Sequence, residues 1–174
     1  MIKYFYYLII AFILVYIQQS IVTAFSLLLN LNLLLVALIF ITIIFGYNVG
    51  FIFAIYLGFL INLFSFLPFG SFIIIYLLIL TIVNFLYKHV LINLSFYTSL
   101  ILILIATCLY TIIISLYNLL LYFFKVTSIY MELDRTFFQN LGEQLIWNLL
   151  LMAVIFLIAK TSLKKLNLAF LLKK

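Results

Sequence analysis

The feature that most constrains this chain is the length of its apolar runs, which carry almost no charge. Between Lys3 and Lys88 the sequence contains no Asp, Glu, Lys or Arg. Overall, 71% of the residues are hydrophobic, 7% are charged, and the mean hydropathy is +1.50. A soluble domain is about half apolar and about a quarter charged, so this chain has too few polar groups to cover its apolar surface in water. The composition therefore predicts an integral membrane protein.

Short polar interruptions divide the apolar sequence into six segments. A helix needs about 20 apolar residues to cross a bilayer, and spanning segments must be helical because hydrocarbon cannot hydrogen-bond to free backbone groups. We therefore predict an all-α fold, in which a single domain over residues 1–174 forms a polytopic bundle of six transmembrane helices. The predicted spans are residues 4–22, 31–45, 48–66, 71–87, 96–124 and 141–159.

The distribution of charge predicts how these spans are oriented. Only Lys125 and Arg135 lie outside if both termini are cytoplasmic, and all three acids, Glu132, Asp134 and Glu143, lie near them. The other basic residues then lie on the cytoplasmic side: Lys3, Lys88, Lys160, Lys164, Lys165, Lys173 and Lys174. This asymmetry is typical of a multi-pass protein of the bacterial cytoplasmic (inner) membrane. The net charge of +6 accordingly indicates contact with anionic membrane lipids and not with nucleic acid.

Two segments combine apolar and charged residues in a way that favours the membrane surface. Residues 161–174 mix leucines with lysines, and we expect this basic amphipathic tail to form an interfacial helix on anionic lipid. Residues 126–140 contain Phe137 and Phe138 among charges, and we expect a second interfacial helix there. A solvated loop or tail is the alternative for both segments.

A ridge of small residues runs along the third predicted span. Gly46, Gly50, Ala54, Gly58 and Asn62 are four residues apart, so on a helix they form one continuous, slowly rotating face. Apolar helices gain no hydrophobic energy by pairing in lipid, and small residues at this spacing permit the close backbone approach that stabilises pairing instead. The pattern predicts a helix-docking face. The neighbour is left open between a helix of the same chain, a partner protein, and a bound lipid or small molecule.

The polar residues after this ridge predict a sharp reversal of the chain. Pro68 fixes its own backbone angle and Gly70 permits a turn, while Ser65 and Asn62 lie just before it. A buried Asn62 needs a hydrogen-bond partner, which we expect on another helix.

A second polar stripe lies on the fifth predicted span. Thr107, Thr111, Ser115 and Asn118 share one helical face, and we expect them to bond to their own backbone or across helices. Gln144 and Asn148 share a face of the sixth predicted span, and we interpret them in the same way.

The sequence lacks the residues that membrane enzymes and pumps use. No predicted span contains a charged residue near its centre, as proton and ion pathways usually require. The single histidine, His89, lies on the predicted cytoplasmic side, and every carboxylate lies on the other, so they cannot form a pair for catalysis or metal binding. No motif for hydrolysis or nucleotide binding is present. We therefore expect no enzymatic activity, no cofactor and no metal.

One segment of this chain resembles a known family of membrane proteins. Residues 58–70, GFLINLFSFLPFG, are similar to the pattern G…GxxxDxxSxxPxG that is often found in the rod shape-determining MreD family. The layout is similar as well, with about six spans, a first span that ends in Gln, and a basic tail after a last span that opens near Asn148. Two departures are that Asn62 stands where the family usually has Asp, and that no proline occurs near Met152.

The resemblance implies a non-enzymatic scaffold or adaptor in the machinery for bacterial cell elongation and lateral peptidoglycan synthesis. Its implied neighbours are a bitopic MreC-like protein, the actin-like MreB filament and the wall-synthase complex. Gly46, Gly50, Ala54, Gly58 and Asn62 would then form the docking face, and Ser65, Pro68 and Gly70 would shape the turn. The alternative that the sequence leaves open is a substrate-binding membrane subunit of a vitamin or small-molecule uptake transporter.

Overall fold

The computed structural model describes residues 2–65, 67–91, 95–125 and 135–171 and, within them, all side chains except those of residues 2, 3, 21, 27 and 162–171. The regular structure in these ranges is helical, and they contain no strand. The α-helices are α1 (Ile2–Tyr16), α2 (Leu33–Phe45), α3 (Tyr47–Asn62), α4 (Ser71–His89), α5 (Phe96–Phe123) and α6 (Arg135–Leu171). A π-helical segment, Ile17–Val22, extends α1, and a 3-10 turn, Ser26–Leu28, precedes α2. The predicted all-α class and the six predicted helices are confirmed.

Three helical segments are long and apolar enough to cross a membrane, namely α4, α5 and Arg135–Thr161 of α6. The other apolar helices, Tyr4–Ser20, Leu33–Phe45 and Tyr47–Asn62, are shorter. At 1.5 Å per residue, the 13 residues of α2 extend about 20 Å, whereas the hydrocarbon core of a bilayer is about 30 Å thick. The three long segments give the chain the character of a membrane protein.

Helix α6 differs most from its prediction. We predicted three separate elements over residues 126–140, 141–159 and 161–174, but α6 is one continuous helix of 37 residues, Arg135–Leu171. The helix therefore extends beyond both ends of the predicted sixth span and includes residues that the sequence analysis assigns to separate elements. The physical reason is that α6 contains no proline and a single glycine, Gly142, while lysine is a good helix former and does not end a helix. Residues 126–134 and 172–174 lie outside the described residues, as does Phe66 at the predicted end of the third span.

Helix α2 occupies the centre of the bundle. It contacts α1, α3, α4, α5 and α6, and it buries most of its length, including Leu35, Leu38 and Ile39, which have no exposed surface. A helix that is apolar all round is expected in such a position. Helix α6 is peripheral by contrast, since it packs mainly on α5 and α2.

The chain reverses between α2 and α3 at a single residue, Gly46. Its φ of +88° and ψ of 169° lie in a region that only glycine adopts without strain. Its N–H donates to the Thr42 carbonyl at 3.0 Å, which closes α2, and its carbonyl accepts from the Gly50 N–H at 3.1 Å, which opens α3. The two helices therefore form a tight hairpin.

Candidate functional site: the polar end of the bundle

The small residues of the ridge lie where α3 meets its neighbours within the chain. A Cβ on Gly58 would come within 2.6 Å of the Ile73 Cα and 2.7 Å of the Ile73 nitrogen, so the backbones of α3 and α4 are in direct contact there. A Cβ on Gly50 would overlap the Thr42 side chain of α2 and lie 3.0 Å from Leu80 Cδ1 of α4. Ala54, between them, is completely buried. The helices that lie against this part of the ridge are therefore α2 and α4 of the same chain.

Asn62 ends the ridge and reaches across to the start of α4. It is 5% exposed, and its Oδ1 accepts a hydrogen bond from the Phe72 N–H at 3.5 Å. The first turn of α4 needs such an acceptor, because the residue at its N-cap is Gly70, which has no side chain. The expected cross-helix partner of Asn62 is thus a backbone group. Its Nδ2 is buried and makes no hydrogen bond to any described residue.

The turn between α3 and α4 is held by the residues that the sequence indicated. Ser65 Oγ accepts from the Leu67 N–H at 3.0 Å, and the Pro68 carbonyl accepts from the Ser71 N–H at 3.2 Å. Gly70 adopts the left-handed conformation, with φ of +94° and ψ of −13°, which favours glycine. Ser71 Oγ also lies 2.8 Å from the Tyr117 hydroxyl, which joins α4 to α5.

Asn148 connects three helices at the centre of the bundle. It is completely buried, its Oδ1 accepts from the Asn32 N–H at 3.0 Å, and its Nδ2 donates to Thr107 Oγ1 at 3.0 Å. Thr107 in turn donates to the Ile103 carbonyl at 2.8 Å. The side chain of Asn148 therefore ties α6 to α5 and to the start of α2.

The polar stripe on α5 forms the hydrogen bonds expected of it. Thr111 donates to the Thr107 carbonyl at 3.0 Å, and Ser115 donates to the Thr111 carbonyl at 2.7 Å. Thr111 Oγ1 also lies 3.1 Å from the side-chain amide of Gln144, with which it forms a hydrogen bond between α5 and α6. The prediction of bonds to the helix's own backbone and across helices is confirmed for these residues.

Gln18 makes a similar connection at the end of α1. It lies in the π-helical segment, where its Nε2 donates to the Leu31 carbonyl at 3.0 Å and its Oε1 accepts from the Leu33 N–H at 2.8 Å. Both groups belong to the chain entering α2, which is capped further by Asn32, whose Oδ1 accepts from the Leu35 N–H at 3.0 Å. Amide side chains thus satisfy the backbone where α2 begins.

A cavity of about 340 Å³ lies at this end of the bundle, where α1 and α3 end and α2, α4 and α6 begin. Exposed side chains at Thr23, Leu29 and Phe64 lie at its mouth, and the buried Asn32 and Tyr76 lie deeper. The side chains that line the cavity are all neutral. The complete lining consists of Gln18, Gln19, Thr23, Leu29, Leu31, Asn32, Leu34, Ile61, Phe64, Ser65, Phe72, Tyr76, Tyr110 and Gln144.

Two tyrosines form one wall of the cavity. The rings of Tyr76 and Tyr110 stack with centroids 6.4 Å apart and planes 24° apart, and Phe72 lies 6.1 Å from Tyr76. Tyr110 is hydrogen-bonded to the Asn32 side chain. Such a wall offers aromatic faces and hydrogen-bonding groups without an ionised side chain, which suits the binding of a small molecule better than acid–base chemistry.

The described residues contain no group of three His, Cys, Asp or Glu side chains that would hold a metal ion. Glu143, the one acid with a described side chain, accepts from Asn30 Nδ2 at 2.8 Å. It therefore acts as a hydrogen-bond partner of the loop before α2.

The sequence analysis missed the cavity, although it singled out several polar residues that surround it. Tyr76 and Tyr110 gave no signal, because tyrosines are frequent throughout this chain, which contains 13. A usable signal was the accumulation of amides at neighbouring span ends: Gln18 and Gln19, Asn30 and Asn32, and Gln144. Under the predicted topology all of these belong to the same side of the membrane.

Comparison with family models, curated proteins and solved structures finds no significant match to this chain.

Proposed function

We propose that the six helices all cross the bacterial inner membrane, with both termini in the cytoplasm. The asymmetry of basic residues supports this orientation. The shorter helices are compatible with it for two reasons. Helix α1 and the π-helical segment together run from Ile2 to Val22, which is long enough to cross. Helices α2 and α3 are shielded by their neighbours, and backbone at membrane depth is tolerated where protein surrounds it.

The function proposed for this bundle is that of a non-enzymatic scaffold in the cell-elongation machinery, which acts through helix–helix contacts with partner membrane proteins. The observation that carries the proposal is the structural role of the segment that resembles the MreD pattern. Gly58 permits contact with α4, Asn62 caps α4, Ser65 caps the turn, and Gly70 reverses the chain. Residues that build a hairpin, instead of a catalytic centre, fit a protein whose task is to hold others in place.

The burial of the ridge changes where a partner helix would bind. Gly50, Ala54 and Gly58 lie against α2 and α4, so they are not available to a second protein in this conformation. The outer faces of α1 and α6 are available, and they expose large apolar side chains such as Phe12 and Leu157. We therefore place the proposed contacts with an MreC-like protein on these faces.

Site-directed cross-linking in native membranes tests this function. Cys108 is first replaced by alanine, and cysteines are then introduced one at a time as Phe12→Cys, Leu157→Cys and, as a buried control, Ala54→Cys. We expect covalent adducts with an MreC-like protein or a wall-synthase subunit from at least one outer position and none from Ala54→Cys. If the folded variants give no adduct with any elongation protein, and none co-purifies with the tagged chain, the scaffold function is wrong.

A further inference from the structure

We propose that the cavity at the polar end of the bundle is a binding site for an uncharged, planar heterocycle that carries carbonyl or ring-nitrogen acceptors. This inference goes beyond the scaffold function and does not depend on it. At about 340 Å³, the cavity lies at the lower end of the range for small-molecule pockets, which is roughly 300–1,000 Å³.

The first observation is the Tyr76 hydroxyl, which has no partner among the described residues. Tyr76 is 1% exposed and lines the cavity, yet its hydroxyl makes no hydrogen bond to any residue in the described part of the chain. The cavity is the space from which a partner for Tyr76 would come.

The second observation concerns Gln144, which lines the same cavity from α6. Its amide is hydrogen-bonded to the Thr111 hydroxyl, whose one proton is also directed at the Thr107 carbonyl, so the other amide atom is left toward the cavity. Tyr76 presents an O–H that can donate, and this favours a ligand that brings an acceptor.

The aromatic walls of the cavity and the absence of charged residues from its lining narrow the class of ligand further. Aromatic rings at Phe64, Phe72, Tyr76 and Tyr110 favour a flat unsaturated ring, because offset stacking and edge contacts add to the burial of apolar area. None of the lining residues is acidic or basic, so an ionised ligand would lose its hydration without gaining a counter-ion. These features together specify a neutral ring.

Equilibrium dialysis with the full chain in detergent or nanodiscs tests the site. The probes are two pairs that differ chiefly in charge, nicotinamide with nicotinate and thymine with orotate, together with the larger neutral ring lumiflavin. We expect at least one neutral probe to bind saturably at one molecule per chain. Where that probe has a carboxylate counterpart, we expect the counterpart to bind at least tenfold more weakly.

Two substitutions locate the binding. Tyr76→Phe removes only the hydroxyl, which no described residue uses, so the melting temperature without probe should be unchanged while affinity for the neutral probe falls about tenfold. Gln144→Glu places a carboxylate in a lining that otherwise has no charge, and it should weaken binding of the neutral probe by a similar factor. Tyr87→Phe, on a partly buried tyrosine outside the cavity, should leave affinity unchanged.

Three results would overturn the proposal: no neutral probe binds, a carboxylate binds as tightly as its neutral counterpart, or Tyr76→Phe binds as well as the native chain. These outcomes are separate from the cross-linking test, because that test reports on the outer faces of α1 and α6 and not on the cavity.

Discussion

Gly58 and Ile73 bring two helices into backbone contact, since a Cβ on Gly58 would lie 2.6 Å from the Ile73 Cα. No rotamer change at Ile73 would make room, because the obstructing atoms belong to the main chain of α4. The approach depends on the absence of a side chain in α3, and this is the means by which lipid-embedded helices gain dispersion contacts.

Gly58→Ala should therefore force α3 and α4 apart. We expect a loss of about 1–3 kcal/mol in the free energy of unfolding, the usual cost of overpacking a close contact, measured by denaturant or thermal unfolding in detergent. The matched control is Gly142→Ala, because a Cβ there has no heavy atom within 4 Å. The control should be neutral or more stable by about 0.5–1 kcal/mol, as alanine is the better helix former. Equal destabilisation by both variants would contradict the contact.

Asn148→Leu should weaken the centre of the bundle. The change removes the acceptor for the Asn32 N–H and the donor to Thr107, while the volume of the side chain is roughly kept. Interhelical hydrogen bonds in membrane proteins contribute about 0.6 kcal/mol on average and up to about 1.7, so we expect a loss of about 1–2 kcal/mol. Gln139→Leu, on an exposed residue of the same helix, should have little effect in the same unfolding assay.

Two substitutions of Asn62 distinguish its Oδ1, which caps α4, from its Nδ2, which is buried and unpaired among the described residues. Asn62→Leu removes the acceptor that caps α4 and should cost about 1 kcal/mol, as is typical for the loss of a cap. Asn62→Asp keeps an acceptor for the Phe72 N–H and removes the unpaired Nδ2, and a carboxylate is favoured at a helix N-terminus. We expect the aspartate variant to unfold at a higher temperature than the leucine variant. The reverse order would show that this side chain does not cap α4.

The proposed topology predicts which ends of α4 and α5 face each compartment. In a chain with Cys108 replaced by alanine, Lys88→Cys at the end of α4 should react with an impermeant thiol reagent only from the cytoplasmic side. Lys125→Cys, just after α5, should react only from the outside. Both lysines are exposed, so access is not limited by burial. Labelling of both positions from the same side would rule out the six-span topology.

The sequence predicted the helices well because in a chain this apolar the few polar and small residues mark real boundaries. Gly46, Pro68 and Gly70 are found at turns, and Gly50 and Gly58 at helix contacts, since each fills a geometric requirement that larger residues cannot meet. The continuity of α6 was not predictable from charge, because Lys160 is as compatible with a helix as with its end.

The cavity could not be predicted, for a different reason. Its shape depends on the heights at which α1 and α3 end and α4 and α6 begin relative to one another, and Tyr76 and Gln144 are 68 positions apart in the chain. Periodicity within one helix carries no information about such offsets. Only the tertiary packing brings the tyrosine wall beside the amides.

In the π-helical segment Ile17–Val22, the number of residues determines the direction of the side chains that follow. A π-helical turn closes over one residue more than an α-helical turn, and the extra residue changes the direction in which later side chains project. Gln18 lies within that wider turn, and its amide forms hydrogen bonds to the Leu31 carbonyl and the Leu33 N–H, on either side of Asn32. Deleting one residue here would rotate the Gln18 amide away from these two backbone groups. This segment should therefore tolerate a substitution better than a deletion.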